Sequence, residues 1–169
     1  MDVVRLRSGR EVSIRPIRPD DGARLKAAYD RLSPRSKYQR FLVAKPYLTD
    51  ADTRYLVQID GFDHVAVIAT PANDPDFILG VARFVRLPED PLAAEFAVVV
   101  GDPFQQEGLA TELLERLAQA AAERGIARFR ATMLADNAAA HRLVRGLSGG
   151  RTRERHSGPV DEIEVDLAA

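Results

Sequence analysis

The chain has 169 residues, 46% of them hydrophobic, so it is long enough to bury a core and too apolar for a disordered protein. Its formal net charge is −1 and its basic residues are scattered, which excludes a long-range attraction to nucleic acid or to an anionic membrane. It contains no cysteine, which excludes thiol nucleophiles, disulfides and cysteine-ligated metal sites.

The sequence also predicts the compartment and the partners of the protein. The first residues alternate polar and apolar side chains, unlike a signal sequence, and no apolar run approaches the roughly 20 residues that cross a bilayer. We therefore expect a cytoplasmic protein with no membrane and no nucleic-acid partner, either a monomer or a homodimer. His64, His141 and His156 stand isolated, so no metal site is expected.

The first third of the chain predicts two strands followed by helices. Two short apolar segments flank the turn Ser8-Gly9, and Pro19 followed by two aspartates is typical of a helix start. Ser33-Pro34 then ends one helix and begins another. The expected elements are strands at Val3–Leu6 and Arg10–Ile17, a helix from Pro19, a helix over Pro34–Leu42, and a helix capped by Thr49 or Asp50.

The middle of the chain predicts an antiparallel meander. Three apolar runs, His64–Ala69, Phe77–Val85 and Ala93–Val100, are separated by segments rich in proline, aspartate and asparagine. Successive strands joined by such short turns pair with their neighbours in opposite directions.

The remainder alternates helices and strands. Leucines and alanines recur at helical spacing from about Glu107 to Arg124, and Gly125 is typical of a helix stop. We expect further elements at Ile126–Leu134 (strand, parallel to the previous one), from Asp136 or Asn137 to Arg145 (helix), and at Val160–Leu167 (strand). The mixed-charge run Arg151–Arg155 is interpreted as a solvated face. Without a linker or repeat, residues 1–169 are expected to form one α/β domain.

The segment Phe104–Thr111 carries the chemistry, because it joins a buried strand to an amphipathic helix. Gly108 permits a tight turn and a close approach to a ligand. The backbone N–H groups of such a loop point outward at the positive end of the helix dipole, where a pyrophosphate binds. Neither GxxxxGK[ST] nor GxGxxG is present. The alternative is an ordinary strand–turn–helix whose glycine only allows close packing.

The pattern Gln105-x-x-Gly108-x-Ala110 resembles the pyrophosphate loop of the GNAT superfamily of N-acetyltransferases, with Asn137-x-x-Ala140 opening a later helix. Val12–Asp21 and Leu32–Phe41 are similar to GNAT domains of bacterial protein-lysine acetyltransferases. The resemblance implies an α/β (α+β) fold with a mixed, mostly antiparallel twisted sheet of six to seven strands flanked by helices. It also implies a V-shaped split between two central parallel strands, here residues 94–101 and 128–134.

The resemblance further implies acetyl-CoA as co-substrate, with no metal. The pantetheine arm would pair with the backbone of Val98, Val99 and Val100, and a bulge in that strand would free an amide for the thioester oxygen. Asn137 would bond a pantetheine amide. The pyrophosphate would be held by the loop residues Gln105, Gln106, Glu107, Gly108, Leu109, Ala110 and Thr111.

Glu95 is the candidate general base. It is the only ionisable residue in the apolar stretch Ala93–Val98, and burial there would favour the neutral carboxyl, which suits proton transfer from an ammonium acceptor. In the lysine-acetylating GNAT enzymes that this chain resembles, a glutamate at this place is the base. The alternative is a solvated carboxylate, or one paired with Arg83 on the neighbouring strand.

The general acid is missing from the family pattern. Val144 stands where many GNAT enzymes carry a tyrosine, and Ser148-Gly149-Gly150 replaces their usual Gly-Phe. Two hypotheses therefore stay open. The first is an active N-acetyltransferase acting on a primary amine, with a protein lysine as the favoured acceptor. The second is an acyl-CoA-binding sensor or partner module that has lost turnover. Neither the acceptor nor the preferred acyl length is fixed by the sequence.

Overall fold

The computed structural model describes residues 2–147 and 151–167. The helices are α1 (Gly22–Asp30), α2 (Pro34–Phe41), α3 (Asp50–Val57), α4 (Leu109–Glu123) and α5 (Ala138–Leu147). The strands are β1 (Asp2–Arg5), β2 (Glu11–Pro16), β3 (His64–Pro71), β4 (Gly80–Leu87), β5 (Asp90–Val100), β6 (Arg128–Leu134), β7 (Thr152–Ser157) and β8 (Val160–Asp166).

The strands form one sheet in the order β1-β2-β3-β4-β5-β6-β8-β7. Every neighbouring pair is antiparallel except β5 and β6, which confirms the mixed, mostly antiparallel architecture. The sheet has eight strands, more than the six to seven expected. The additional strand is β7, which holds most of the charged run Arg151–Arg155. Its side chains are largely exposed at the sheet edge, so they carry no apolar alternation from which a strand is predicted.

Helices cover both faces of the sheet, and the alternation of side chains along each strand decides which residues meet which helices. Along β5, Ala94, Phe96 and Val100 pack in the same core as α4, whereas Val99 packs with residues of α1 and α3. The α4 face is the apolar stripe that the sequence predicts: Leu109, Leu113, Leu114 and Leu117 are each at most 1% exposed. Burial of one leucine contributes about 1.5–3 kcal/mol, so this stripe fixes α4 firmly on the sheet.

The split between β5 and β6 is the feature that positions the site. The two strands pair only where Ala93–Glu95 lies beside Arg128–Arg130, and the pairing ends there. Farther along, each strand remains paired on its outer side, with β4 and β8 respectively. The inner edges of the two strands therefore face each other across an open wedge, as the sequence analysis expects.

The bulge expected in β5 is absent from this region. Residues Ala94–Val100 pair with Gly80–Arg86 in one continuous register, and the shift lies at Arg86/Leu87, beside the hairpin turn. That expectation was wrong because it came from the family pattern and not from a local signal such as a glycine inside the strand. Backbone groups are instead made available by the loss of pairing with β6.

No helix among residues 2–147 and 151–167 is long and apolar enough to span a membrane.

Candidate active site

The loop between β5 and α4 turns the chain sharply. After Val100, a single 3₁₀ turn, Asp102–Phe104, leads to two residues with left-handed backbone conformations, Gln106 (φ 66°) and Gly108 (φ 91°). Gly108 is the residue immediately before α4. Since a left-handed conformation costs a residue with a side chain about 1–2 kcal/mol, this backbone conformation favours glycine at residue 108.

The N–H groups that follow this turn have no internal acceptor. From Gln106 to Thr111, none donates a hydrogen bond to any residue in the described part of the chain. The first helical bond at this end runs from the Glu112 N–H to the Gly108 carbonyl, at 3.2 Å. The run of N–H groups lies at the positive end of a 15-residue helix, which is the arrangement that binds phosphate groups.

Side chains of the loop brace it from within. The Gln105 side-chain amide donates to the Val100 carbonyl at 3.0 Å, so this side chain closes the loop onto the end of β5. The Glu107 carboxylate accepts from the Ser8 hydroxyl and lies 3.4 Å from Arg10 Nε. The Glu107 carbonyl also accepts from the Arg7 N–H at 3.1 Å. The turn between β1 and β2 therefore holds the loop in place.

Arg7 is a candidate site residue that the sequence analysis missed. A Cβ added to Gly108 would lie 3.4 Å from Arg7 Nε and 3.5 Å from its Nη2, so the guanidinium lies directly beside the glycine. The side chain is exposed, and it places a positive charge next to the run of free N–H groups. Only the fold brings the two together, because Arg7 lies far from Gly108 along the chain.

Asp102 fastens the loop to α2. Its carboxylate accepts hydrogen bonds from the Ser33 N–H (3.0 Å), the Ser33 hydroxyl (2.9 Å) and the Ser36 hydroxyl (2.9 Å). Burial raises the pKa of Asp102, but these hydrogen bonds outweigh it and hold the pKa below its usual value. The start of α2 is thereby tied to the loop that follows β5.

The open edge of β5 continues from this loop. Val98, Val99 and Val100 pair with Ala82, Val81 and Gly80 of β4, and no described strand pairs with their other edge. On the opposite side of the split, Asn137 caps α5: its side-chain oxygen accepts from the Ala140 N–H at 3.2 Å. The side-chain NH₂ of Asn137 has no acceptor among the described residues, so it remains available to a ligand.

Glu95 lies on the wall of a cleft of about 550 Å³ between β5 and the α2–α3 region. Its side chain is exposed, so the expectation of burial was wrong. The strand alternation explains the difference, because Ala94 and Phe96 pack on the α4 face of the sheet, whereas Glu95 lies on the opposite face, on the wall of the cleft. The alternative of a pair with Arg83 is not found either. The cleft lining includes, besides Glu95, the residues Arg40, Phe41, Lys45, Asp52, Tyr55, Arg83 and Thr132.

Comparisons with known proteins identify the family of the chain. A family model described as an acetyltransferase (GNAT) domain matches residues 11–147. The chain belongs to the GNAT acetyltransferase family. Acetyltransferase Pat of Mycolicibacterium smegmatis is 34% identical over 164 residues, which is 96% of this chain and 48% of that protein. The chain thus spans about half the length of that relative.

Two further comparisons match nearly the whole chain. An acetyltransferase of Pseudomonas aeruginosa is 32% identical over 165 residues, covering 95% of this chain and 84% of that protein. The crystal structure of the GNAT domain of S. lividans PAT superposes with a TM-score of 0.86 at 32% identity, covering 98% of this chain and 96% of that one. The latter confirms the GNAT fold of this chain.

One of the two departures from the usual GNAT pattern lies within the described residues. Val144, at the usual tyrosine position, is 2% exposed and belongs to the core beside α4, so it contributes packing and no proton. Ser148–Gly150 lies outside the described residues. Tyr55 of α3 lines the cleft that contains Glu95 and is 60% exposed.

The histidines have structural contacts. His141 is buried, with Nδ1 2.7 Å from the Asn137 carbonyl and Nε2 2.9 Å from Asp161. Both partners accept hydrogen bonds, so only the protonated ring satisfies both, and these contacts raise the pKa of His141. His64 instead contacts Arg83, and burial together with that charge lowers the pKa of His64 to about 4. Among the described residues no group of three or more His, Asp or Glu side chains is arranged to hold a metal.

Proposed function

We propose that this GNAT domain transfers an acetyl group from acetyl-CoA to a primary amine, with Glu95 as the general base. The observation that carries the proposal is the continuity of two unpaired backbone surfaces. The free N–H groups of Gln106–Thr111 fit a diphosphate, and the open edge of β5 at Val98–Val100 fits an extended arm that contains amides. Coenzyme A has these two parts in this order.

The coenzyme is held mainly by the backbone. Gln106, Glu107, Gly108, Leu109, Ala110 and Thr111 supply N–H donors to the diphosphate, and Arg7 adds a positive charge beside them. The Thr111 hydroxyl is a further donor. Gln105 supports the loop, since its side chain is already bonded to Val100. The Asn137 side-chain NH₂ donates to an amide carbonyl of the pantetheine arm from the other wall of the split.

The chemistry begins with the acceptor, since an alkylammonium group with a pKa near 10.4 must lose a proton before it can attack. Glu95 accepts that proton, directly or through a water. The nitrogen then attacks the thioester carbonyl carbon, and N–H groups on the open edge of β5 stabilise the negative charge that develops on the oxygen. As the C–S bond breaks, the nitrogen loses its second proton to water and the sulfur leaves as the thiolate, which then takes a proton from solvent. A thiol pKa near 8.5 makes that group a tolerable leaving group without a tyrosine.

The acceptor class that we favour is the lysine side chain of a protein. This choice is supported by the similarity of Val12–Asp21 and Leu32–Phe41 to GNAT domains of protein-lysine acetyltransferases. The cleft beside Glu95 has a volume of about 550 Å³, which leaves room for a side chain of lysine length.

Acceptor-dependent release of free thiol from acetyl-CoA tests the proposal. The Glu95→Gln variant should bind acetyl-CoA with unchanged affinity and lose at least about 100-fold in kcat, within the range that general-base catalysis contributes. Glu89→Gln is the matched control, because Glu89 is an exposed carboxylate on the β4–β5 turn outside the cleft. Acetyl-CoA binding without acceptor-dependent thiol from any amine or lysine protein would favour the sensor hypothesis instead.

A further inference from the structure

The cleft beside Glu95 has an unbalanced set of charges. Its lining contains three cations, Arg40, Lys45 and Arg83, and two carboxylates, Asp52 and Glu95. Lys45 and Asp52 neutralise each other through a 2.9 Å ion pair. Two guanidinium groups therefore face one carboxylate, and Glu95 forms an ion pair with neither of them among the described residues. Such an excess of positive charge in a partly enclosed cleft favours an anionic ligand.

Arg83 is buried with most of its donors unused. The residue is 6% exposed, and among the described residues only its Nη1 has acceptors: the Leu56 carbonyl at 2.9 Å and His64 Nε2 at 3.1 Å. The hydrogen bond to the Leu56 carbonyl stabilises the end of α3, so Nη1 has a structural role. Nε and Nη2 donate to no described residue, although a guanidinium carries five N–H donors. Buried donors without acceptors are costly, so their persistence beside a cavity indicates a missing acceptor.

Arg40 reinforces the same site. It is partly buried and forms no hydrogen bond or ion pair with the described residues, and its guanidinium carbon lies 4.4 Å from the centre of the Phe41 ring. Burial lowers the pKa of Arg40, and burial followed by the charge of Arg40 lowers the pKa of Arg83 to about 9. The positive charge of Arg40 thus destabilises the charged form of Arg83. A carboxylate placed between them would relieve this repulsion, because it attracts both charges.

We propose that the acceptor is an amine that also carries a carboxylate, bound with its ammonium toward Glu95 and its carboxylate between Arg40 and Arg83. The proposal rests on the function proposed above and adds the substrate class. Two sources share this chemistry: a free amino acid, and a lysine in a protein segment with an acidic residue beside it. The zwitterionic acceptor matches the cleft, which presents one negative and two positive groups once Lys45 and Asp52 are paired.

Matched pairs of acceptors test the substrate class in the full chain. The first pair is lysine and cadaverine, which share the same chain and terminal amine and differ by the carboxylate. The second pair is two lysine peptides that differ by a glutamate or a glutamine beside the lysine. We expect kcat/KM to be roughly 10- to 100-fold higher for the carboxylate member of at least one pair, as expected for one charge-assisted hydrogen bond. The pair that shows the preference identifies the source.

The Arg40→Gln variant links that preference to the cleft. It should reduce the ratio of kcat/KM within the preferred pair to about one, and Arg40→Lys should retain part of it because the charge remains without the planar donor fork. The matched control is Arg35→Gln, which removes an exposed arginine without described partners from the same helix and should preserve the ratio. Ratios near one for both pairs, or equal ratios in Arg40→Gln and Arg35→Gln, would overturn the inference.

Binding of the acetylated products separates this inference from the function itself. Calorimetric titration of the coenzyme A complex with acetyl-lysine and with acetyl-cadaverine, and with the two acetylated peptides, requires no turnover. Tighter binding of the carboxylate product that is lost in Arg40→Gln supports the inference, even if no acceptor releases thiol. The absence of thiol release would contradict only the proposed acetyl transfer. Equal binding of both members of both pairs overturns it.

Discussion

Gly108 offers a perturbation whose separate effects can be calculated. Any residue with a side chain there adopts φ near 91°, which costs about 1–2 kcal/mol of stability. The added Cβ meets only the end of the flexible Arg7 side chain, at 3.4 Å, so no further packing penalty is expected. A loss of this size leaves a domain of ordinary stability folded and lowers Tm by roughly 2–8 °C.

The effect of a negative charge at this position on coenzyme binding is much larger. At an effective dielectric constant near 20, a carboxylate about 5 Å from one phosphate charge is repelled by about 3 kcal/mol. Gly108→Glu should therefore weaken coenzyme A binding by roughly 100-fold or more relative to Gly108→Gln, since 1.4 kcal/mol is tenfold and the two side chains are nearly isosteric. The neighbouring Arg7 reduces the effect but does not abolish it.

Thermal denaturation of each variant measures the loss of stability, and calorimetric titration with coenzyme A measures the loss of affinity. Gly125→Ala is the control for the backbone term, because Gly125 has φ 78° and open space around its Cβ position. It should lower Tm by a similar amount and leave coenzyme affinity unchanged. If Gly108→Glu binds coenzyme A as tightly as Gly108→Gln, the diphosphate does not lie beside Gly108 and the reasoning fails.

Two further predictions concern the frame around the site. Asp21 is fully buried and paired with Arg15 through two 2.8 Å contacts. Asp21→Asn should therefore lower the free energy of unfolding, measured by urea denaturation, by about 3 kcal/mol, and a loss below about 1 kcal/mol would contradict this. The pKa of His141 is raised above 6.5 in the folded chain, so its stabilisation is complete at lower pH and is lost as pH rises through the raised value. The Tm advantage of the wild type over His141→Gln should therefore shrink from pH 6 to pH 9, and a constant difference would refute the assignment.

Local patterns predicted most of the elements but not the environment of Glu95. The leucine stripe of α4 and the turns of the meander are encoded within short segments, so helical spacing and turn residues are enough to predict them. Glu95 was expected to be buried because its neighbours are apolar. In a strand, however, the residues on either side face the opposite side of the sheet and say little about its own burial. The alternation of side chains along a strand is therefore a better guide to the burial of Glu95 than the apolar composition of Ala93–Val98.

The cleft itself is beyond the reach of local patterns. Arg40 and Arg83 belong to a helix and a strand that meet only in the folded chain, and nothing near either residue in sequence indicates a shared wall. Arg7 beside Gly108 is a second example, since the contact joins the β1–β2 turn to the start of α4. The resemblance to GNAT enzymes predicted the loop Gln105–Thr111 because the residues of its pattern are contiguous. It did not indicate these arginines, because they lie far from that loop along the chain.

Amide hydrogen exchange with and without coenzyme A tests whether the N–H groups between β5 and α4 bind the coenzyme. The N–H groups from Gln106 to Thr111 have no acceptor among the described residues, so they should exchange fast in the free protein and at least about 10-fold more slowly in the complex. Exchange in the loop at residues 72–76, which is exposed and lies outside the split, should not change. Unchanged exchange from Gln106 to Thr111 at saturating coenzyme A would show that these N–H groups do not bind the diphosphate.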